Sequence, residues 1–294
     1  MSTLASGSAP PAAPGPAPDA PLRDIRGPSA TGGGWERFLH LTWTIGLTDF
    51  RLTYFGSALG YLWSLVRPFL SFAVLLVIFT QVFDAGQGVR FFPVQLLLGV
   101  VLFAFFAESS ERAVQSVVNR ESLVRKMQFP RLVIPLSVVL TAALNLTVSL
   151  VPVIGFALAM GVPVRATWLL LPVAVLALAF FTSGVAMALS SLYVRFRDVE
   201  PIWSVFSQVL FYGSAIIYTI DKVPGHWNRL VLANPIASIV QYSRAWIADP
   251  AAGTPADVMG GAGWALIPLA IGVLVPALGL WVFSREAPGI AERL

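Results

Sequence analysis

The chain contains no cysteine, which excludes disulfides, thiolate chemistry and cysteine-ligated metal. Charge is scarce: 12% of its 294 residues are Asp, Glu, Lys or Arg, against about 25% in an average soluble domain. Lysine is nearly missing, with only Lys126 and Lys222 beside seventeen arginines. The two histidines, His40 and His226, fall on opposite faces of the topology derived below and cannot share a metal centre. No GxxxxGK[ST] loop and no HExxH pair occurs, so phosphate cradling and zinc hydrolysis by those devices are excluded. Acidic side chains are confined to the margins of apolar runs, as at Asp84, Glu108, Asp198, Glu200 and Asp221. Carriers driven by protons or sodium usually need such groups inside the membrane. What remains is a conduit with no catalytic residue, metal, cofactor or energy source of its own.

What the chain does have is apolar length. Hydrophobic residues make up 56%, and the long runs are sufficient for six spans of about 20 residues. The spans are expected at Leu62 to Phe83, Phe91 to Ala107, the 33 uncharged residues between Arg131 and Arg165, the 29 between Arg165 and Arg195, Pro201 to Ile220, and Met259 to Ser284. Pro135 and Pro152 interrupt the third, Arg67 snorkels from the first, and Gly184 with Ala188 gives the fourth a small face for close packing. Fourteen Lys/Arg then fall on the side holding both termini and five on the other, which predicts cytosolic termini. The formal charge of +4 comes from arginines at run ends, where orientation explains them better than nucleic acid does.

The organising stretch is Glu108 to Arg131, ESSERAVQSVVNRESLVRKMQFPR, a polar island with five basic residues between two apolar runs. It is the largest cytosolic surface on which a soluble partner could dock. Residues 1–33 are Pro, Ala, Gly and Ser with few large apolar side chains, a composition that predicts disorder and lacks the basic and apolar regions of a signal peptide. Residues 34–60 carry aromatics at helical spacing interrupted by Glu36, Arg37, Asp49 and Arg51; this predicts an amphipathic helix lying in the membrane interface. Residues 61–294 are expected to form the six-span transmembrane domain. Between Asp221 and Asp257 an uncharged 14-residue run, Leu230 to Ser243, is too short to cross and contains Pro235. It reads as a re-entrant helix pair on the outer face, broken near Asn234 and Pro235.

Four motifs in order resemble one family. DFRLTYFGSALGYLWSLVRP (Asp49 to Pro68), NRESLVRKMQFPRLVIPLS (Asn119 to Ser137), RFRDVEPIWSVFSQVLFYGSAIIY (Arg195 to Tyr218) and NPIASIVQYSRAW (Asn234 to Trp246) are similar to segments of the membrane subunits of ABC-type polysaccharide exporters, the ABC-2 class that moves O-antigen, teichoic acid, capsule or galactan. The resemblance implies an all-α, six-span homodimer in the bacterial cytoplasmic membrane. It also implies two P-loop ATPase subunits that bind ATP and magnesium, and a polyprenyl-pyrophosphate-linked glycan as cargo. It assigns ATPase contact to Asn119, Arg125, Lys126, Phe129, Pro130 and Arg131, and an outer gate to Asn234, Pro235 and Tyr242. Where the family often carries basic residues on both sides of a tyrosine, this chain has Thr53 and Phe55 around Tyr54, so pyrophosphate binding is expected of Arg51, Tyr54 and Arg67. Phe206, Phe211, Tyr212 and Tyr218 are the candidates for a glycan-facing aromatic track. The alternatives are a lipid-glycan transferase acting alone, or an ABC permease for a drug or another lipid.

Overall fold

The computed structural model describes residues 34–54, 60–82, 86–122 and 130–290, without the side chains of 54, 60–65 and 226. The expected N-terminal tail and Arg125, Lys126 and Phe129 lie outside this range. Among the described residues all regular structure is helical. The helices are α1 (Trp35–Tyr54), α2 (Gly60–Val77, prolonged by a π-helical turn Ile78–Val82), α3 (Phe92–Ser116), α4 (Val133–Ala159), α5 (Leu171–Arg195), α6 (Val199–Gly213), α7 (Gly225–Ala233), α8 (Pro235–Ile247), α9 (Pro255–Met259) and α10 (Ala262–Glu286).

The most heavily buried helix is α3. Its first half, Phe92 to Phe106, is apolar all round but for Gln95, so it is stable only when surrounded. It packs between α4 and α5, with α2, α6 and α8 closing the remaining sides. The tightest neighbours are α5 and α10. A Cβ added to Gly184 would fall 2.6 Å from Pro276 N, and one added to Gly279 would fall 2.8 Å from the Gly184 carbonyl carbon. Backbone therefore meets backbone at this crossing, a contact available only to small residues. The small face expected at Gly184 is occupied by Pro276 and Gly279 of the same chain.

Two clusters define the ends of the bundle. At the basic end Phe38, Val117, Val133, Met187, Val194, Phe283 and Ile290 pack together, joining the start of α1 and α4 to the finish of α3, α5 and α10. At the far end Ala215, Ile220, Leu232 and Met259 form a smaller cluster. The long helices α3, α5 and α10 thus run toward the basic end and α4 runs away from it.

Among the described residues four helices are long and apolar enough to cross a bilayer: Phe92–Ser116, Val133–Ala159, Ala166–Arg195 and Ala262–Gly289. The other expected boundaries shift for local reasons. The run predicted over Pro201 to Ile220 is helical only to Gly213, because Ala215 takes a φ of 52° and the chain turns irregular to Thr219. At about 1.5 Å per residue α6 is roughly 22 Å long. The last span starts at Ala262 rather than Met259, because Gly260 and Gly261, with φ 88° and 140°, separate it from α9. Pro135 lies in the first turn of α4 and interrupts nothing, whereas Pro152 is inside it. The polar island is not all loop: α3 continues through Glu108 to Ser116, helped by the Glu108–Arg112 pair at 2.9 Å, an i,i+4 arrangement.

Candidate functional site: a polar cleft and a broken helix pair

At the basic end α1 carries two apolar stripes instead of one. Phe38, Leu41 and Ile45 face the inner cluster, while Leu39 and Trp43 are exposed and Trp35, also exposed, stacks on Phe38 with ring centres 5.4 Å apart. The inner stripe packs along α4, where Gly46 is close enough to Leu140 that an added Cβ would lie 2.8 Å from Leu140 Cδ2. The Thr141 hydroxyl donates to the Gly46 carbonyl at 3.0 Å. Arg120 then ties three elements together: its guanidinium pairs with Asp49 of α1 and donates to Ser137 Oγ of α4 at 3.1 Å. Between α1, α3 and α4 lies an open cavity of about 390 Å³ lined by Asp49, Leu52, Thr53, Arg112, Val138 and Thr141.

The Asp49–Arg120 pair is partly solvated, so its strength is expected to be about 1 kcal/mol at most. In a double-mutant cycle on detergent-purified protein, Asp49→Ala and Arg120→Ala should each lower thermal stability, and their combined effect should fall short of the sum. Strict additivity would mean the pair does not hold α1 in place.

The expected partner-contact residues divide. Asn119 is exposed in the 3-10 turn Val118–Arg120. Pro130 and Arg131 are buried, and the Arg131 guanidinium donates to the Ala287 carbonyl, fastening the start of α4 to the end of α10. In this arrangement Arg131 presents no surface to a partner and acts as an internal strut. Arg51 and Arg67 are exposed on α1 and α2; the side chain of Tyr54 lies outside the description.

The four expected track aromatics do not share one face. Phe206 and Tyr212 are exposed beside Ile202, Val205 and Val209. Phe211 turns inward, edge-on to Phe103 with ring centres 5.2 Å apart, and Tyr218 is half-buried with its hydroxyl donating to the Tyr212 carbonyl at 3.1 Å. Of these four, Phe206 and Tyr212 on α6's outward face are the ones that offer rings to an external ligand or to a second copy.

At the far end the break between α7 and α8 falls at Asn234. Asn234 Oδ1 accepts from the Ile236 backbone N–H at 3.0 Å and caps α8, with Pro235 at its first position, where a missing N–H costs nothing. Its Nδ2 donates to Ser214 Oγ at 2.8 Å, fastening the break to the irregular end of α6. Tyr242 packs on Trp246 with ring centres 5.2 Å apart. Beyond α8, Thr254 and Asp257 form a capping box at the start of α9. Hydrogen bonds from the Thr254 hydroxyl and then its backbone N–H hold the Asp257 carboxyl below the usual carboxylate range.

One residue of this region escaped the sequence reading. Arg244 of α8 is 2% exposed, and its guanidinium donates to Gln95 O at 3.2 Å, Tyr218 O at 3.2 Å and Ile216 O at 2.6 Å. One cation thus gathers the carbonyls freed where α6 ends and ties them to the first turn of α3. Gly99 leaves room for it, since an added Cβ would lie 3.2 Å from Arg244 Nη2. The available signal was an arginine inside an otherwise uncharged amphipathic helix.

No cluster of three or more His, Cys, Asp or Glu side chains placed to hold a metal occurs among the described residues. A bundle with apolar spans, a braced polar cleft at one end and a broken helix pair at the other has the architecture of a membrane transport subunit. Residues 40–247 match the family described as ABC-2 type transporter, and the chain belongs to that family as a multi-pass membrane protein.

Among its relatives, the O-antigen export system permease protein RfbA of Klebsiella pneumoniae is 29% identical over 193 residues, 65% of this chain and 74% of that protein. The protein of the same name in Myxococcus xanthus is 31% identical over 196 residues, again 65% and 74%. The polysialic acid transport protein KpsM of Escherichia coli is 24% identical over 210 residues, 67% and 77%.

Proposed function

We propose that the chain is the membrane subunit of an ATP-driven exporter that moves a lipid-pyrophosphate-linked polysaccharide outward across the bacterial cytoplasmic membrane. The observation that carries this reading is the braced cleft at the basic end. Its walls are α1, α3 and α4, its rim carries Asp49 and Arg112, and α1 is tied to the helices that border it. A soluble subunit seated there can push on three helices at once. The printed names of the relatives, O-antigen export permease and polysialic acid transport protein, support a glycan cargo.

In this reading α2 and α6 complete a six-span subunit with α3, α4, α5 and α10, the basic end and both termini are cytosolic, and residues 34–60 border the membrane-domain core of 61–294. Two copies meet through exposed apolar surface to enclose the path, and the outward face of α6, with Phe206 and Tyr212, supplies sugar-facing rings. Two ATPase subunits carry ATP and magnesium. They dock at Asn119 and the adjoining Arg125, Lys126 and Phe129, while Pro130 and Arg131 pass their motion to α4 and α10. Arg51, with Tyr54 and Arg67, holds the pyrophosphate. The α7–α8 pair, broken at Asn234 and Pro235 and backed by Tyr242, dips from the outer face as the gate.

Depleting the protein should make a lipid-linked glycan accumulate on the cytosolic side within one or two generations, read by extraction and chromatography of polyprenyl-linked sugars. Reintroduction of the gene should clear it. If the lipid-linked pool is unchanged, or if purified protein without a nucleotide-hydrolysing partner modifies such a lipid by itself, this reading is wrong.

A further inference from the structure

A second cavity, of about 120 Å³, opens at the far end between the 86–91 turn, the 3-10 turn Ile220–Lys222 and the 3-10 turn after α8. Its buried polar lining is unusual. Gln95, Gln241 and Thr219 all line it, and they are 2%, 3% and 5% exposed. Gln95 Nε2 donates to Arg90 O at 2.9 Å, and Gln241 Nε2 donates to Ala252 O at 2.7 Å and to Gly253 O at 3.0 Å. These carbonyl partners fix which end of each amide is nitrogen, and no donor among the described residues reaches either Oε1. The Thr219 hydroxyl has no hydrogen-bond partner among the described residues. Buried polar atoms in native proteins are almost always satisfied, so the orphaned Thr219 hydroxyl, with the two glutamine amides lining the same cavity, calls for a ligand rich in hydrogen-bonding groups.

The remaining lining narrows its chemistry. Asp221 and Asp249 add acceptors; one carboxylate oxygen of Asp249 already accepts from the Ala251 backbone N–H at 3.1 Å. Arg90 lines the same space, its guanidinium carbon 4.9 Å from the centre of the Phe91 ring. A fixed cation beside the carboxylates disfavours a bare metal ion, and the carboxylates disfavour an anion. A neutral polyol suits both, since each hydroxyl donates to an amide or carboxylate oxygen and accepts from Arg90. The cavity is on the scale of one monosaccharide unit and too small for a chain segment.

We propose that this cavity is a saccharide site that holds a single sugar unit of the glycan as it leaves the far end of the subunit. The proposal rests on the export reading for the origin of the sugar, but the site itself can be tested without export. It also connects the cargo to the gate: Gln241 is in α8, Thr219 closes the irregular stretch whose carbonyls Arg244 gathers, and Gln95 is the residue whose carbonyl Arg244 holds.

The test uses full-length protein purified in detergent and saturation-transfer NMR with free D-galactose, D-mannose and L-rhamnose as probes. At least one sugar should show saturable transfer to the wild-type protein. Thr219→Val removes a hydroxyl that bonds nothing among the described residues, so folding should be unharmed. The substitution should weaken the apparent affinity by about threefold to tenfold, the worth of one hydrogen bond. Asp249→Asn and Gln241→Leu serve as second variants, with thermal stability measured in parallel to separate binding from folding.

The proposal is overturned if none of the sugars binds the wild type. It is equally overturned if Thr219→Val binds as the wild type does, or if millimolar calcium alone stabilises the protein in an Asp249-dependent way. Sugar binding lost in Thr219→Val by a protein whose depletion leaves lipid-linked glycan unchanged would retain the site and remove the export reading; accumulation of that glycan without sugar binding would do the reverse.

Discussion

Gly184→Leu is expected to abolish the folded protein. The new side chain would have to occupy the position of the Pro276 backbone, and a proline backbone in the middle of α10 cannot swing away as a flexible side chain can. Relief requires α5 and α10 to separate along their length, which would also part Arg195 from Glu286, 3.9 Å apart at the basic end of the same helices. Overpacking a well-filled contact costs about 1–3 kcal/mol when neighbours can yield, so about 3 kcal/mol or more is expected where backbone blocks the way. Gly279→Leu should behave the same way, because its Cβ would run into the Gly184 carbonyl. The control is Gly155→Ala in α4, where nothing lies within 4 Å of the added Cβ; it should be neutral, or stabilising by up to about 1 kcal/mol through helix propensity. Fluorescence-detected size exclusion after a temperature ramp reads all three variants. A Gly184→Leu protein that elutes and melts like the wild type would mean the α5–α10 crossing is not as drawn.

Arg244→Met should produce the second largest effect, localised at the far end. It removes the only donor found for Ile216 O and Tyr218 O among the described side chains and leaves these two carbonyls unpaired, while Gln95 O keeps its place in the helical ladder of α3. Each buried unpaired acceptor costs about 1–3 kcal/mol, so a loss of about 3 kcal/mol or more is expected. Arg244→Lys should recover little of it, because one ammonium cannot reproduce a planar fork that reaches three carbonyls in different directions. Limited proteolysis is the direct readout, with new cleavage between Ser214 and Gly225 expected in both variants while the basic end stays resistant. In the export reading the gate would then leak or jam, lowering export well before the protein fails to accumulate. Wild-type protease resistance in Arg244→Met would show that the irregular stretch stands without its cation.

These two residues mark how legible the chain was. Gly184 could be picked out because a small residue repeated four positions on, at Ala188, is a packing signal in an apolar helix, but nothing in the run told which helix would press against it. Arg244 reads in the sequence as one more arginine of the less basic side, since its partners are carbonyls from residues 95, 216 and 218. Carbonyls are present at every position, so a sequence cannot announce which of them will be left free. The break at Asn234 was readable because proline and an N-capping asparagine act locally. Arg131 was misjudged as surface for the converse reason. An arginine in a polar stretch reads as exposed, and only the return of Ala287 to the same end of the bundle supplies a carbonyl that takes it inside.

The amino-acid sequence by itself determined that this is a helical membrane protein, where its long apolar runs lie, which end gathers the basic side chains, and the family to which it belongs. Those properties follow from transfer of side chains between water and hydrocarbon and from local backbone preference, and both act over one or two helical turns. Only the tertiary structure decided that α1 rests against α4, that α6 stops at Gly213, that Gly184 touches Pro276, and that three buried polar groups meet around a small cavity. Each of these depends on pairs of groups distant along the chain, and a hydrogen bond or steric contact between such groups exists only once the fold has brought them within a few ångströms.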